Sequence, residues 1–326
     1  MKIAFITASP NAAASEMYWY AMKLMPEITF YDQTMDLRQF DVALVMTYEH
    51  QLVKQIKQIA PNIKVAIVDP RSHKVIESAK MCDFLVIDSI EMEDYWRQSR
   101  IPIFRYSEYP SFDEVKKVHT KKDKIVIGYH GNQIHLTCMS DTVTPALSRL
   151  GQKYNLELMV IYNGSPPTGQ EAWYPQNVKV THVQWGSDKY VIELSKCDIG
   201  LTPNKMPFKE NPPYAHELQN SVNYAADDYV LRFKMPTNPG RIIVFGKLGI
   251  PVISDFYPSA FEILSDGKGF VCRSSEAWEY NLESLIRNHK LRQTSASKLQ
   301  NYIRNNLNFN FQNTKFLNFL REEIVK

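Results

Sequence analysis

Short apolar runs alternate with amphipathic stretches along most of this 326-residue chain. A short apolar run followed by a helical period is typical of strand-helix-strand units, which build a parallel sheet covered by helices. The predicted strands are 2–7, 28–31, 42–46, 65–68, 84–87 and 103–106 in the first half, and 125–129, 156–162, 178–183, 199–202, 251–254 and 269–272 in the second. The sequence therefore predicts an α/β fold with two parallel-sheet domains.

Three stretches depart from this alternation. Residues 110–124 contain proline, serine and a cluster of lysines, which predicts an exposed linker between a domain of residues 1–118 and a domain of residues 119–326. Residues 204–231 have no clear period, and so long an irregular stretch predicts a lid or part of an active-site wall. Residues 302–326 carry apolar side chains at helical spacing, which predicts a closing helix.

Charge and hydropathy exclude several classes of protein. The net charge is +3, and because Lys and Arg are scattered among Asp and Glu we expect no nucleic-acid partner. This balance suits anionic small molecules, or a loose peripheral hold on the inner face of an anionic membrane. Neither a run of about 20 apolar residues nor a secretory leader is present in the sequence, so we expect a cytoplasmic protein.

The four cysteines, Cys82, Cys138, Cys197 and Cys272, lie far apart beside apolar residues. This spacing favours buried reduced thiols over a disulfide framework or a metal site.

A glycine-bearing turn follows the predicted strand 125–129. Its residues Gly128, His130, Gly131 and Asn132 are candidates for phosphate binding, because glycine lets a backbone approach a ligand closely and a following helix start offers free N–H groups. In open parallel sheets ligands bind beyond the carboxyl ends of the strands, where this turn lies. The alternative is a turn whose glycines serve packing alone.

Two cations, Lys234 and Arg241, flank the start of the predicted helix 241–248. Positive charges beside the positive end of a helix suit a diphosphate, and without one they would oppose the helix dipole. The intervening Thr237 and Asn238 are candidates for the same site. The alternative is that both cations are simply solvated.

Together these segments resemble the donor domain of GT-B glycosyltransferases related to families 1 and 4. The ordered set comprises Gly128–Asn132, Trp185 in a Val-x-Trp segment, 197–203, Lys234–Arg241, 248–253 and 262–270, and it covers roughly residues 124–290. The resemblance implies two Rossmann-like domains facing a central cleft, with a tail helix of about residues 306–326 crossing back to the N-terminal domain.

The resemblance also implies a function, namely transfer of a sugar from a nucleoside-diphosphate sugar to a glycan or lipid-linked acceptor in bacterial surface-polysaccharide assembly. The donor, expected to be a UDP- or GDP-sugar, would lie against the glycine turn and Trp185 in the C-terminal domain, and the acceptor would bind the N-terminal domain. Lys234 and Arg241 would neutralise the leaving diphosphate in place of a metal. No further cofactor is expected.

Four residues are candidates for catalysis. Glu49 and His50 follow the strand 42–46, where related enzymes often carry a cleft-facing histidine, although both could equally begin a surface helix. Retaining family-4 enzymes usually carry two glutamates at a fixed spacing, but here the second position falls near Val244 and its helix has no carboxylate. Glu210 and Glu217 in the irregular stretch are substitutes, and both retention and inversion stay open.

Other functions fit the same two-domain pattern. A GT-B-shaped nucleotide-sugar epimerase would act on its donor without an acceptor. A phosphorylase would need a lysine-bound pyridoxal phosphate, for which the sequence shows no motif. A non-catalytic two-lobed sugar-binding protein would bind sugar without hydrolysing a donor.

Overall fold

The computed structural model describes residues 1–8, 13–46, 51–70, 76–165, 171, 173–187, 189–204 and 239–325. These residues form two compact units. The first contains the described residues of 1–111, 239–240 and 306–325, and the second contains those of 112–204 and 241–305. The acceptor and donor roles of the two units stay predictions.

The first unit is built on a six-stranded parallel sheet in the order β2-β1-β3-β4-β5-β6. Its strands are β1 (Ile3–Thr7), β2 (Ile28–Phe30), β3 (Val42–Met46), β4 (Lys64–Val68), β5 (Phe84–Ile87) and β6 (Ile103–Arg105). The middle strands are near-continuous apolar runs, as expected where helices cover both faces of a sheet. The strand order reverses between β1 and β3, which pair in parallel from Ile3 opposite Val42.

Four helices accompany this sheet in the described residues of the first half: α1 (Ala13–Met22), α2 (Leu52–Ile59), α3 (Ile76–Ala79) and α4 (Ile90–Arg97). A 3-10 turn covers Leu37–Gln39. The sequence sets the start of α4 clearly, because the Ser89 hydroxyl accepts a hydrogen bond from the Met92 N–H and so caps the first turn.

The second unit also has a six-stranded parallel sheet, in the order β12-β11-β10-β7-β8-β9. Its strands are β7 (Lys124–His130), β8 (Asn155–Tyr162), β9 (Lys179–Gln184), β10 (Ile199–Thr202), β11 (Val252–Asp255) and β12 (Phe270–Cys272). This is the Rossmann order, in which the strand order reverses between the first strand, β7, and the fourth, β10.

The described helices that lie wholly or mainly in the second unit are α5 (Val143–Gly151), α6 (Tyr190–Leu194), α7 (Gly240–Lys247), α8 (Pro258–Leu264), α9 (Ser275–Arg287) and α10 (His289–Asn306). The turn after β7 leads into a 3-10 segment, Gln133–Met139, which precedes α5. One core joins the sheet to α5 and α9, with Tyr129, Leu147 and Trp278 fully buried.

The predicted closing helix over 302–326 is divided in the structure. Residues up to Asn306 belong to α10, and a separate helix, α11 (Phe309–Phe319), is followed by a π turn at Leu320–Ile324. The break has a local cause, because the Asn308 side chain accepts a hydrogen bond of 3.0 Å from the Phe311 N–H. Asparagine is a preferred N-cap residue and starts a new helix there.

The segment after residue 110 is irregular, as predicted, but it is not exposed throughout. His119 is buried with Nε2 2.8 Å from the Gly249 carbonyl oxygen, and the Lys122 ammonium pairs with the buried Asp198 at 2.6 Å. Part of the predicted lysine cluster is therefore engaged within the second unit.

All four cysteines are free thiols, as predicted. Cys138, Cys197 and Cys272 are buried and Cys82 is half-buried, and burial raises the pKa of the Cys138 thiol to about 12. None of the described helices is both long enough and apolar enough to span a membrane.

Candidate functional site

In the second sheet the strand order reverses between β7 and β10, and the ends of these two strands lie side by side. The carboxyl ends of β7 and β10 are neighbours, because Gly200 of β10 pairs with Gly128 of β7. Continuing this register sets Thr202 beside His130, and alternate residues of a strand share a face. Open parallel sheets bind ligands in the crevice at such a reversal.

The turn after β7 depends on Gly131. Its φ is +132°, a conformation that favours glycine, and a Cβ there would lie 3.1 Å from the Cδ atom of Arg241. The Gly131 N–H donates to the Ile161 carbonyl at 3.1 Å, and the Tyr129 hydroxyl donates to the Asn132 carbonyl at 2.5 Å. Residues of the turn are thus fixed against the side chain of Arg241.

Arg241 lies in the first turn of α7 and points to the same crevice. Its Nη2 donates to the Asn204 side-chain oxygen, and its guanidinium carbon lies 5.7 Å from the centre of the Tyr129 ring. Among the described residues no carboxylate forms an ion pair with Arg241, and the Nη1 atom is buried without a protein partner. A positive charge at a helix N-terminus with a free donor is suited to an anion.

His130 ends β7 and is buried beside Arg241. Burial and, to a smaller extent, the positive charge of Arg241 lower the pKa of the imidazole to about 3, against the opposing effect of a hydrogen bond with the Arg241 backbone. The ring lies 5.1 Å from the Phe245 ring centre, and its Nε2 has no partner. His130 is therefore neutral at physiological pH and adds no charge to that of Arg241.

Several buried polar atoms at this crevice have no hydrogen-bond partner among the described residues. They are Nε2 of His130, Oγ1 of Thr202, Nδ2 of Asn204 and Nη1 of Arg241. Leaving a buried donor or acceptor unpaired costs about 1–3 kcal/mol, so such atoms are rare and need an explanation. Because the amide and guanidinium nitrogens are donors, a ligand that supplies negatively charged oxygens would satisfy them.

An aromatic pair leads to the crevice from the edge of the sheet. Trp185 follows β9, and its ring stacks on Tyr190 with 6.2 Å between ring centres and 26° between planes. The Tyr190 ring in turn lies 6.4 Å from the ring of His130. Both aromatic side chains are partly exposed, so they offer a flat apolar surface next to the polar atoms.

Asp255, at the end of β11, connects the crevice residue Asn204 to Trp278 of α9. Its Oδ2 accepts the Asn204 backbone N–H at 2.7 Å, and its Oδ1 accepts the indole N–H of Trp278 at 2.9 Å. The carboxylate is buried, with only 2% of its residue surface exposed.

The structure brings together three of the predicted binding residues, His130, Gly131 and Arg241, with Asn132 in the same turn. Gly128 lies inside β7, where a Cβ would meet the Cys197 sulfur at 2.5 Å. Packing alone explains that glycine, and a ligand role for it stays a prediction. Trp185 is connected to these residues by ring contacts, because it stacks on Tyr190 and the Tyr190 ring lies near that of His130.

The other predicted site residues lie outside the described residues. They are Glu49, His50, Glu210, Glu217, Lys234, Thr237 and Asn238. In the described part of the chain, no group of three or more His, Cys, Asp or Glu side chains is placed to hold a metal ion.

Sequence reasoning missed Tyr190, Thr202, Asn204 and Asp255. Thr202 and Asp255 end β10 and β11, and Asn204 follows β10 by two residues. The rule that drew attention to the turn after β7, namely that ligands bind beyond strand ends, applies to these positions as well.

Comparison with known proteins identifies the fold. HepE of Anabaena, solved in complex with UDP and glucose, matches 99% of this chain over 100% of its own length, with a TM-score of 0.64 and 14% identity. A glycosyltransferase from Rickettsia africae covers 99% of this chain, with 98% of its own length matched, a TM-score of 0.62 and 11% identity. The chain has the GT-B fold.

The GT-B match extends to the lipopolysaccharide outer core galactosyltransferase WaaB, with a TM-score of 0.58, 14% identity and coverage of 98% of this chain and 100% of WaaB. No protein-family model and no curated protein sequence matches the chain. The sequence-based prediction of a GT-B fold with two parallel-sheet domains is confirmed.

Proposed function

We propose that this GT-B protein is a glycosyltransferase that transfers a sugar from a UDP-sugar to a hydroxyl group of a glycan or lipid-linked acceptor. The observation that carries the proposal is the convergence of the Arg241 guanidinium, the first turn of α7 and several unpartnered donors at the order reversal of the second sheet. UDP is the first nucleotide to test because HepE was solved with it, and a GDP-sugar is the alternative donor.

The chemistry at this crevice would be charge stabilisation. As the glycosidic bond to UDP breaks, negative charge grows on the oxygens of the leaving diphosphate. The fixed charge of Arg241 and the positive end of the α7 dipole stabilise that charge without reorganising, which is the usual source of electrostatic catalysis. Lys234 is a second cation in this proposal, which needs neither a metal nor a further cofactor.

The aromatic pair would bind the uracil ring. A nucleobase stacks on flat aromatic side chains, and the stacked Trp185 and Tyr190 lie along a line of rings that ends at His130. The base would then lie towards the edge of the sheet and the diphosphate at Arg241.

The remaining roles belong to the same proposal. Glu49 and His50 are candidates for contacting the transferred sugar, because they follow β3 in the sequence and β3 is one of the two strands between which the order of the first sheet reverses. Glu210 and Glu217 are candidates for the missing carboxylate. A lipid-linked acceptor would bring the protein to the inner face of a membrane.

A thermal-shift panel tests nucleotide binding. Any ligand that binds only the native state stabilises it, by about 2.7 kcal/mol at a concentration 100 times its Kd. We expect UDP to raise the Tm of the wild type more than GDP, ADP, TDP or CMP. Arg241→Ala should lose the shift, whereas Arg149→Ala, which removes an arginine paired with Glu279 on α5 and α9, should keep it.

The function itself is tested by incubating the protein with UDP-glucose and other UDP-sugars, with and without glycan and lipid acceptors. Acceptor-dependent release of UDP supports a transferase. Conversion of the donor without acceptor would support the epimerase, and the absence of a thermal shift with every nucleotide would contradict the proposal.

A further inference from the structure

Asp255 occupies an unusual position for a carboxylate. It is buried, yet both of its oxygens have partners, the Asn204 backbone N–H at 2.7 Å and the Trp278 indole N–H at 2.9 Å. Burying an ionised carboxylate is costly unless hydrogen bonds compensate, so these two donors account for its presence at the end of β11.

The contacts of Asp255 continue to the guanidinium group. The Asn204 backbone N–H donates to Asp255, and the Asn204 side-chain oxygen accepts a hydrogen bond from Nη2 of Arg241. A connected path therefore runs from Trp278 on α9, through Asp255 and Asn204, to Arg241 at the start of α7.

This order of contacts leaves the positive charge of Arg241 available to bind an anion. A carboxylate paired directly with Arg241 would compete with a diphosphate for the guanidinium, whereas a neutral amide orients the group without cancelling its charge. Asn204 is that amide, and the negative charge of Asp255 stands one residue further back. A site for an anion needs a guanidinium group that is oriented but not neutralised, and the contact of Arg241 with the Asn204 amide meets this need.

We propose that Asp255 is a positioning residue for the donor diphosphate, acting through Asn204 on Arg241. This role rests on the proposed function, since it assumes that Arg241 binds the diphosphate of a UDP-sugar. Asp255 itself would not touch the donor.

Asp198 provides a matched control within the same sheet. It is equally buried, accepts the Val126 backbone N–H at 3.0 Å and pairs with Lys122 at 2.6 Å. It precedes β10, whereas Asn204 follows that strand, so Asp198 lies at the opposite end of the sheet from the crevice. A loss of general stability should follow from either substitution, and a loss of UDP affinity only from that of Asp255.

The test measures UDP affinity by titration calorimetry for the wild type, Asp255→Asn, Arg241→Lys and the double variant, with Asp198→Asn as control. Lysine keeps the charge of Arg241 but lacks its planar fork, so binding should remain measurable. We expect Asp255→Asn to weaken UDP binding about 10-fold, which corresponds to about 1.4 kcal/mol. In the Arg241→Lys background the same substitution should cost little more, and Asp198→Asn should bind as the wild type does.

Full additivity of the two substitutions, or wild-type affinity in Asp255→Asn, would overturn the positioning role. If Asp255→Asn does not fold, Trp278→Phe replaces it, because phenylalanine keeps an aromatic ring in the core but has no N–H to donate to Asp255. A folded Trp278→Phe variant should bind UDP at least about twofold more weakly, and unchanged affinity would overturn the role. Failure of the wild type to bind UDP contradicts the proposed function and this role together, whereas normal binding by the wild type with an inert Asp255 contradicts only the role.

Discussion

Gly131 has a backbone conformation that favours glycine, and it lies against the side chain of Arg241. An alanine at its φ of +132° is strained, and the new Cβ would lie 3.1 Å from Cδ of Arg241. Replacing a left-handed glycine destabilises a protein by roughly 1 kcal/mol or more. We expect Gly131→Ala to lower the Tm and, by moving Arg241, to weaken UDP binding about 10-fold in a calorimetric titration.

Gly267→Ala is the control for Gly131→Ala. Gly267 has a φ of +74° and meets only the end of the flexible Lys298 side chain at 3.1 Å. The Gly267→Ala substitution should lower the Tm through backbone strain and leave the affinity for UDP unchanged. Equal effects of both substitutions on affinity would mean that strain, and not the position of Arg241, explains the result.

His130 should make the protein sensitive to acid. The pKa of its imidazole is lowered to about 3, so the unfolded chain binds more protons than the folded one between that value and the ordinary pKa of about 6.5. Stability therefore falls as the pH falls below about 6.5, by up to roughly 1.4 kcal/mol per pH unit, and His130 adds no pH dependence above it.

Urea denaturation of the wild type and His130→Asn measures this effect. Between about pH 7 and pH 5 the wild type should lose about 2 kcal/mol more stability than the variant. The other histidines are common to both proteins, so the difference reports His130 alone. Identical pH slopes would show that His130 is protonated without cost in the folded state.

Substitution of Trp185 should affect binding of the nucleobase and not binding of the phosphates. Stacking of a base on an aromatic side chain contributes about 1–3 kcal/mol, so Trp185→Ala should weaken UDP binding about 5- to 150-fold. Inorganic pyrophosphate has no base, and its affinity should not change. Arg241→Ala should weaken both ligands. A loss of pyrophosphate affinity in Trp185→Ala would place the tryptophan at the phosphates instead.

At the scale of elements, the strands could be predicted from the sequence because buried parallel strands are continuous apolar runs. Val42–Met46 and Ile199–Thr202 have the predicted bounds. The helix α10 was not predicted, because polar residues occupy part of its buried face. Arg292 is 1% exposed there and donates to the carbonyl oxygens of Leu285, Ile286 and Thr120, so the apolar period is interrupted.

The candidate site could be predicted only where its signal is local. The turn around Gly131 and the cation at the start of α7 each lie within a few consecutive residues. Asn204 and Asp255 belong to the site only because β10 lies between β7 and β11 in the sheet. Strand order is a property of the folded chain, and no short segment of the sequence contains it.

The helix α11 makes a testable contact within the first unit. Asn313 accepts a hydrogen bond of 2.6 Å from the buried Tyr106 hydroxyl and donates one of 2.9 Å to the Ala21 carbonyl. Asn313→Leu leaves the hydroxyl buried and unpaired, which costs about 1–3 kcal/mol. We expect that loss in urea denaturation, whereas Asn310→Leu on the exposed side of the same helix should change stability by less than about 0.5 kcal/mol. Wild-type stability of Asn313→Leu would show that the helix contributes little to the unit.

At the scale of the whole molecule, the two units should respond differently to a nucleotide. Arg241 and the buried atoms of the crevice that lack a described partner belong to the second unit, and a ligand that binds the native state suppresses the local openings that expose backbone amides.

Hydrogen–deuterium exchange with and without UDP tests this difference. We expect added protection in peptides that cover 129–133, 201–204 and 240–247, because these segments surround Arg241 and their amides open less often when a ligand is bound. Strands β1 to β6 should exchange at the same rate in both conditions. Arg241→Ala should abolish the added protection at all three segments together, since they share one ligand. Protection confined to residues 1–111 would assign nucleotide binding to the first unit and reverse the donor and acceptor roles proposed for the two sheets.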